Sequence, residues 1–258
     1  QLLQGKHSKP ILADAFFIET GTEKPVLIFC HGYKGFKDWG AWNLMAEAFA
    51  QAGFCCVKFN FSHNGGTVEE PIDFPDLDDL ETVIDWVFES NLFKNEIDVD
   101  QISLMGHSRG GGIVLIKAAE DPRVKKVITL AGVCDFKKRT ATIGDLQQWK
   151  TSGVKYVLNG RTKQQMPQFY EDFIENEARL TIENAVEILA IPYLILHGDS
   201  DTSVFIDEAQ KLLSWNSKSR LEVIENANHV FNTSHPWKEE KVSKELEIVT
   251  KQCIQFLE

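Results

Sequence analysis

Ile102-Ser103-Leu104-Met105-Gly106-His107-Ser108-Arg109-Gly110-Gly111-Gly112-Ile113-Val114-Leu115-Ile116-Lys117-Ala118 is the stretch on which the fold turns. A short apolar run of strand type ends at Gly106, and a run of helical type follows Gly112. Between them, Gly106-His107-Ser108-Arg109-Gly110 matches Gly-x-Ser-x-Gly in the strand–turn–helix setting that this motif requires. The turn is so tight that side chains two residues either side of the serine would collide, and glycines at 106 and 110 remove that collision. Ser108 is thereby lifted clear of the sheet edge, at the amino end of a helix whose dipole favours developing negative charge.

Outward from this stretch, short apolar runs alternate with longer segments of helical period, the signature of a parallel sheet wrapped by helices. The expected strands are Ile11–Ile18, Val26–Cys30, Phe54–Phe61, Ile102–Met105, Val127–Leu130, Tyr193–Leu196 and Leu221–Ile224. Several are apolar at successive positions, as strands covered on both faces are. Asp76–Leu92 and Glu239–Leu257 each carry one apolar stripe and read as surface helices. The rhythm breaks over 135–190, which holds no clear strand and has helix-like pieces at Gly144–Thr151, Gln164–Glu177 and Ile182–Leu189. We expect a helical cap insertion at 135–190, with 1–134 and 191–258 forming the α/β core.

The 258 residues suit one such domain, and 43% apolar with 25% charged residues is an ordinary globular balance. A formal net charge of -11 repels phosphate backbones and anionic lipid, which disfavours nucleic-acid and membrane-surface partners. Cys30, Cys55, Cys56, Cys134 and Cys253 are odd in number and form no Cys-x-x-Cys pair. Free thiols favour a reducing compartment, and Gln1-Leu2-Leu3-Gln4-Gly5-Lys6 lacks a secretory apolar core. The missing initiator Met points to a trimmed chain, and the cytoplasm is the expected location. No metal and no cofactor is expected: there is no His-Glu-x-x-His, the Walker lysine is missing, and the Gly110-Gly111-Gly112 spacing does not fit a dinucleotide fingerprint.

A serine hydroxyl needs a neighbouring base, and imidazole is the side chain best matched to that duty at neutral pH. His229 sits in the loop after the last expected strand, at the carboxyl edge of the sheet where the Ser108 turn also opens. His235 is the fallback, farther on and before Pro236. His31, His63 and His197 lie at strand ends, where a satisfied polar residue is the plainer account, and His107 should point away from Ser108. The carboxylate comes from His197-Gly198-Asp199-Ser200-Asp201, with Asp201 preferred, since Asp199 is placed to stiffen the turn. Asp135, past the preceding strand, is the alternative. Nucleophile, acid and histidine then follow the required chain order. The backbone N–H groups of Arg109 and Tyr33 are the expected oxyanion donors, Gly32 letting Tyr33 approach closely.

With His31-Gly32-Tyr33, Gly106-His107-Ser108-Arg109-Gly110-Gly111, His197-Gly198-Asp199-Ser200-Asp201 and Asn228-His229 located, the sequence resembles the α/β-hydrolase superfamily over nearly its whole length. It looks most like the branch of small carboxylesterases such as cinnamoyl esterases, beside dienelactone-hydrolase-like and prolyl-oligopeptidase-like enzymes. The resemblance implies a mostly parallel, eight-stranded sheet with a cap inserted between the sixth and seventh strands. It also implies a small-molecule ester substrate cleaved through an acyl-enzyme, with acyl-peptide hydrolysis or a silent binding role as alternatives. Trp149, Met166, Phe169, Tyr170 and Phe173 would then wall the substrate pocket, unless they serve only to pack the insertion on the sheet. Natural substrate and oligomeric state are not written in the sequence.

Overall fold

The described residues form ten strands: β1 (Leu2–Gln4), β2 (Pro10–Phe16), β3 (Lys24–Cys30), β4 (Cys55–Phe59), β5 (Ile97–His107), β6 (Val124–Leu130), β7 (Val154–Asn159), β8 (Thr162–Pro167), β9 (Tyr193–Gly198) and β10 (Ser219–Ile224). The computed structural model describes residues 1–6, 10–62, 76–142, 147, 151, 154–159, 162–167 and 170–258. Eight strands form one sheet in the order β1-β2-β4-β3-β5-β6-β9-β10. β1–β2 and β2–β4 pair antiparallel, and every pairing from β4 onward is parallel. This is the α/β-hydrolase fold.

Parallel strands need crossover connections, so helices cover both faces and the strands must be apolar on both. In β3, Val26, Ile28 and Cys30 enter one core layer while Leu27 and Phe29 enter the other. The first layer is closed by α2 (Asp76–Glu89), α3 (Arg109–Glu120), and helices at Ile182–Ile188 and Ile206–Trp215. The second is closed by α1 (Trp42–Gln51) and the final helix, Lys244–Leu257. Removing one fully buried side chain such as Leu104 to Ala would cost about 2–5 kcal/mol. β3 is flanked by β4 on one side and β5 on the other, so its outgoing connection and that of β5 diverge. Such a switch point opens a crevice at the carboxyl ends of the strands.

Two expectations need correction. Residues 135–190 are not all helical: β7 and β8 form an antiparallel hairpin with Asn159 opposite Thr162. The expected helix Gln164–Glu177 is therefore split between β8 and a helix at Tyr170–Glu175, while Gly144–Thr151 lies largely outside the described residues. The signal for the hairpin is Lys155-Tyr156-Val157-Leu158-Asn159-Gly160, a β-prone run ending in Asn-Gly. The helical spacing of Met166, Phe169, Tyr170 and Phe173 competes with it. The last helix begins at Lys244 rather than Glu239, because the Ser243 hydroxyl accepts from the Leu246 N–H and caps it there. Among the described residues, no helix is long and apolar enough to cross a membrane.

Candidate active site

β5 delivers His107 and Ser108 to the rim, and α3 starts at the next residue. Ser108 has φ 55° and ψ -119°, a conformation that costs a non-glycine residue about 1–3 kcal/mol. Three hydrogen bonds hold it there: its N–H donates to the Leu130 carbonyl (2.9 Å), and its carbonyl accepts from Gly111 (2.9 Å) and Val133 (3.2 Å). A Cβ on residue 106 would fall 2.2 Å from the Gly110 carbonyl oxygen, so the elbow closes only over glycine.

The turns after β9 and β10 bring Asp201 and His229 to the same place. His229 Nδ1 lies 2.7 Å from Asp201 Oδ2, and His229 Nε2 lies 3.0 Å from Ser108 Oγ. A carboxylate can only accept, so Nδ1 carries the imidazole proton and Nε2 faces the serine hydroxyl as an acceptor. Asp201 Oδ1 is fixed in turn by the N–H groups of Ser203 (2.8 Å) and Val204 (2.9 Å). Burial works to raise the Asp201 carboxyl, but hydrogen bonds from His197 and His229 outweigh it and hold the group well below the usual carboxylate range. Of the two histidines, His229 is the close partner. His197 Nε2 is 3.5 Å from Asp201 and makes its shorter bond, 2.8 Å, to the Val204 carbonyl.

The other candidates lie elsewhere. His235 Nδ1 accepts from the Gly40 N–H (3.0 Å), with its ring against Phe36 and Trp39. Asp199 Oδ1 accepts from Asn226 (2.7 Å) and Ser200 and ties two turns together. Asp135 accepts from the Lys138 N–H (2.9 Å). His31 is buried and accepts from the Phe61 N–H (3.2 Å). His63 lies outside the described residues.

His107 lies against His229. Its Nε2–H donates to the His229 carbonyl (2.8 Å), and the two rings are 4.8 Å apart. Burial, reinforced by the neighbouring His229, pushes its pKa down to about 3, so it stays neutral beside the imidazole it touches. The signal was the histidine directly before the serine.

A cavity of ≈ 200 Å³ opens over Ser108, lined by Gly32, Tyr33, Trp39, Trp42, His229 and Val230 among others. Gly32 passes so close that a Cβ there would sit 2.9 Å from Ser108 Cβ, which brings the Tyr33 backbone beside the serine. The Tyr33 hydroxyl is buried with no hydrogen-bond partner among the described residues, and burial pushes its pKa up to about 12. Arg109 opens α3, where first-turn N–H groups have no intrahelical partner. Its side chain turns onto Asp76 (2.6 Å) and the Phe136 ring. Phe173 does not line this cavity. It is packed in the core and borders a second cavity with Phe136, Leu180 and Trp215. Met166 is on β8 and Tyr170 opens a helix, while Trp149 and Phe169 lie outside the described residues. Among the described residues, the apolar wall at Ser108 is made by Trp39, Trp42 and Val230, residues that sequence periodicity gave no reason to single out. Among the described residues, no group of three His, Cys, Asp or Glu is arranged to hold a metal ion.

The family profile described as alpha/beta hydrolase fold matches residues 25–151. An uncharacterised 31.7 kDa protein from the traX-finO intergenic region of Escherichia coli is 30% identical over 128 residues, 48% of this chain and 43% of that protein. The quorum-quenching protein AidA of Acinetobacter baumannii is 26% identical over 153 residues, 57% of this chain and 49% of its own. The alignments thus span less than half of these relatives. In fold, the chain is similar to Est1E of Butyrivibrio proteoclasticus, solved with ferulic acid bound (TM-score 0.76, 19% identity, 100% of this chain and 97% of that one). It is likewise similar to the hydrolase GrgF from Penicillium sp. sh18 (TM-score 0.73, 18% identity, 100% and 96%). Strand order, elbow and these likenesses together make the chain a protein of the α/β-hydrolase fold.

Proposed function

We propose that the protein is a serine hydrolase of carboxylic esters, with Ser108 as nucleophile, His229 as base and then acid, and Asp201 as the catalytic acid residue that orients His229. One observation carries this reading: an unbroken hydrogen-bond chain runs from a buried carboxylate through an imidazole to a strained serine hydroxyl, with links of 2.7 and 3.0 Å. Ser108 Oγ attacks the ester carbonyl as its proton passes to His229 Nε2, and Asp201 stabilises the imidazolium that results. The carbonyl oxygen becomes an oxyanion, received by the backbone N–H groups of Tyr33 and Arg109, each worth about 2.7–4 kcal/mol in such a role. The C–O bond then breaks and the alcohol leaves with the proton from His229. Water, deprotonated by the same imidazole, attacks the acyl-enzyme and releases the acid.

The ≈ 200 Å³ cavity supports a small acyl or alcohol group, since about 150 Å³ holds a benzene ring. Residues 135–190 are read as a cap over the crevice, with Trp149, Met166, Phe169 and Tyr170 as candidates for its apolar face. Five buried, free thiols support a reducing location such as the cytoplasm.

A fluorophosphonate probe should label the wild-type protein and leave Ser108→Ala unlabelled, and a panel of p-nitrophenyl and aromatic-acid esters should be turned over. Labelling without ester turnover moves the substrate to an amide or acyl-peptide. No labelling at all favours a binding protein on this scaffold and sinks the proposal.

A further inference from the structure

Lys58 is fully buried in β4, where lysine is rarely found and where an apolar residue would continue the stripe begun by Cys56. Its ammonium reaches out of the core toward the connection after β3. There it donates to the Lys37 carbonyl (2.9 Å), to Asp38 Oδ1 (3.2 Å) and to the Asn43 side-chain oxygen. Asn60, two residues on and 7% exposed, accepts from the N–H of the same Lys37 (2.7 Å). One residue farther, the Phe61 N–H donates to His31 Nε2 (3.2 Å). The end of β4 therefore grips the connection at residues 31, 37 and 38, and Tyr33 lies between the grips.

That connection has little of its own to hold it. Two turn bonds are made within it, Gly35 N–H to the Gly32 carbonyl (2.9 Å) and Trp39 N–H to the Phe36 carbonyl (3.1 Å). Lys37 falls between the two turns, with its N–H taken by Asn60, just past β4, and its carbonyl by Lys58 in β4. Charge is balanced locally: Lys37 also bridges Asp14 and Asp38, so two ammonium groups face two carboxylates. With Asp14 and Asp38 open to solvent, an ion network of this kind adds little net stability. What it fixes is the place of a backbone segment.

We infer that Lys58 and Asn60 are positioning residues for the reaction: by clamping both peptide groups of Lys37 they set the Tyr33 N–H over Ser108, where the oxyanion forms. Neither side chain touches the reacting atoms. The inference rests on the serine-hydrolase reading, and it adds two residues that the Gly-x-Ser-x-Gly pattern does not contain.

The test compares Asn60→Leu, Asn60→Asp and Lys58→Met with the wild type, each first shown folded by its thermal transition. Asn60→Asp keeps an acceptor for the Lys37 N–H, whereas Asn60→Leu of similar size does not. Three quantities are read: kcat and KM on p-nitrophenyl butyrate, and Ki for an alkyl trifluoromethyl ketone, whose hemiketal with Ser108 places an oxyanion in the same site. Asn60→Leu and Lys58→Met should lower kcat by about 10- to 100-fold, short of the 10²–10³ that outright loss of a donor costs, with KM within about two-fold. The ketone Ki should rise by the same factor, and Asn60→Asp should recover most of both. A folded Asn60→Leu with wild-type kcat overturns the inference. So does a fall in kcat with unchanged ketone Ki, or an Asn60→Asp as impaired as Asn60→Leu. A wild-type protein inert to both ester and ketone overturns the serine-hydrolase reading itself, and this inference with it.

Discussion

Two walls face each other across the Ser108 cavity, and they are built on different plans. On one wall, backbone groups do the holding: Ser108 is bonded to the main chain of Gly111, Leu130 and Val133, and Asp201 accepts from the Ser203 and Val204 N–H groups. On the other wall, the connection from His31 to Ala41 is gripped at Lys37 by the side chains of Lys58, in β4, and Asn60, just past its end. A turn held by main-chain groups keeps its bonds whatever side chains its neighbours carry, whereas one clamped by side chains depends on the identity of those residues. Changes on the first wall should therefore act on the chemistry steeply and singly, and changes on the second more gently.

The largest effect should come from Asp201→Asn. An amide in place of the carboxylate favours the wrong imidazole tautomer, and in a comparable site that lowers kcat about 10⁴-fold with little change in geometry. A loss of under tenfold on a chromogenic ester would show that the first wall does not act through its acid.

Next is His107→Gln, read by pH. The His107 pKa is lowered from 6.5 to about 3 in the folded state, so the unfolded chain binds the extra proton between those values. Stability linked to this group is complete above pH 6.5 and is lost as pH falls from there toward 3. At pH 5 the loss is about 2 kcal/mol, which the glutamine variant should not suffer. Denaturant midpoints at pH 8 and pH 5 would test this. Equal acid sensitivity in both proteins would mean that His107 is not held neutral.

The smallest effect belongs to the second wall. Tyr33→Phe removes a buried hydroxyl that has no partner among the described residues and should stabilise the fold by about 1 kcal/mol, seen as a rise of a few degrees in Tm. A lower Tm would mean that the hydroxyl is satisfied in solution.

The same contrast governs what could be read from the sequence. The elbow, the strands on either side of it and the residues now joined as Ser108–His229–Asp201 were legible, because each is announced by its immediate neighbours. β5 runs longer than Ile102–Met105 because Ile97–Gln101 continues its pairing through a register shift, where Asp98 and Asp100 mask any apolar signal. β1 is three residues long and carries no periodicity at all. In the insertion, two local signals conflicted, and the β-prone run at 155–159, now in β7, prevailed over the helical spacing beyond it. Lys58 was visible only as a charge inside an apolar run. Its meaning lies in Lys37, Asp38 and Asn43, contacts that no local pattern encodes. Trp39, Trp42 and Val230 were silent for the same reason, since a wall is made by where loops meet.

Cys55 and Cys56 are adjacent in β4, and their side chains enter opposite core layers, Cys55 with Cys30 and Cys134, and Cys56 with Cys253. All five thiols are buried, and burial pushes those of Cys55 and Cys56 up to about 12, so an alkylating reagent meets the reactive thiolate on either side only when that layer comes apart. The chain thus carries two independent clocks for its own breathing, one on each side of the sheet, wound into neighbouring residues.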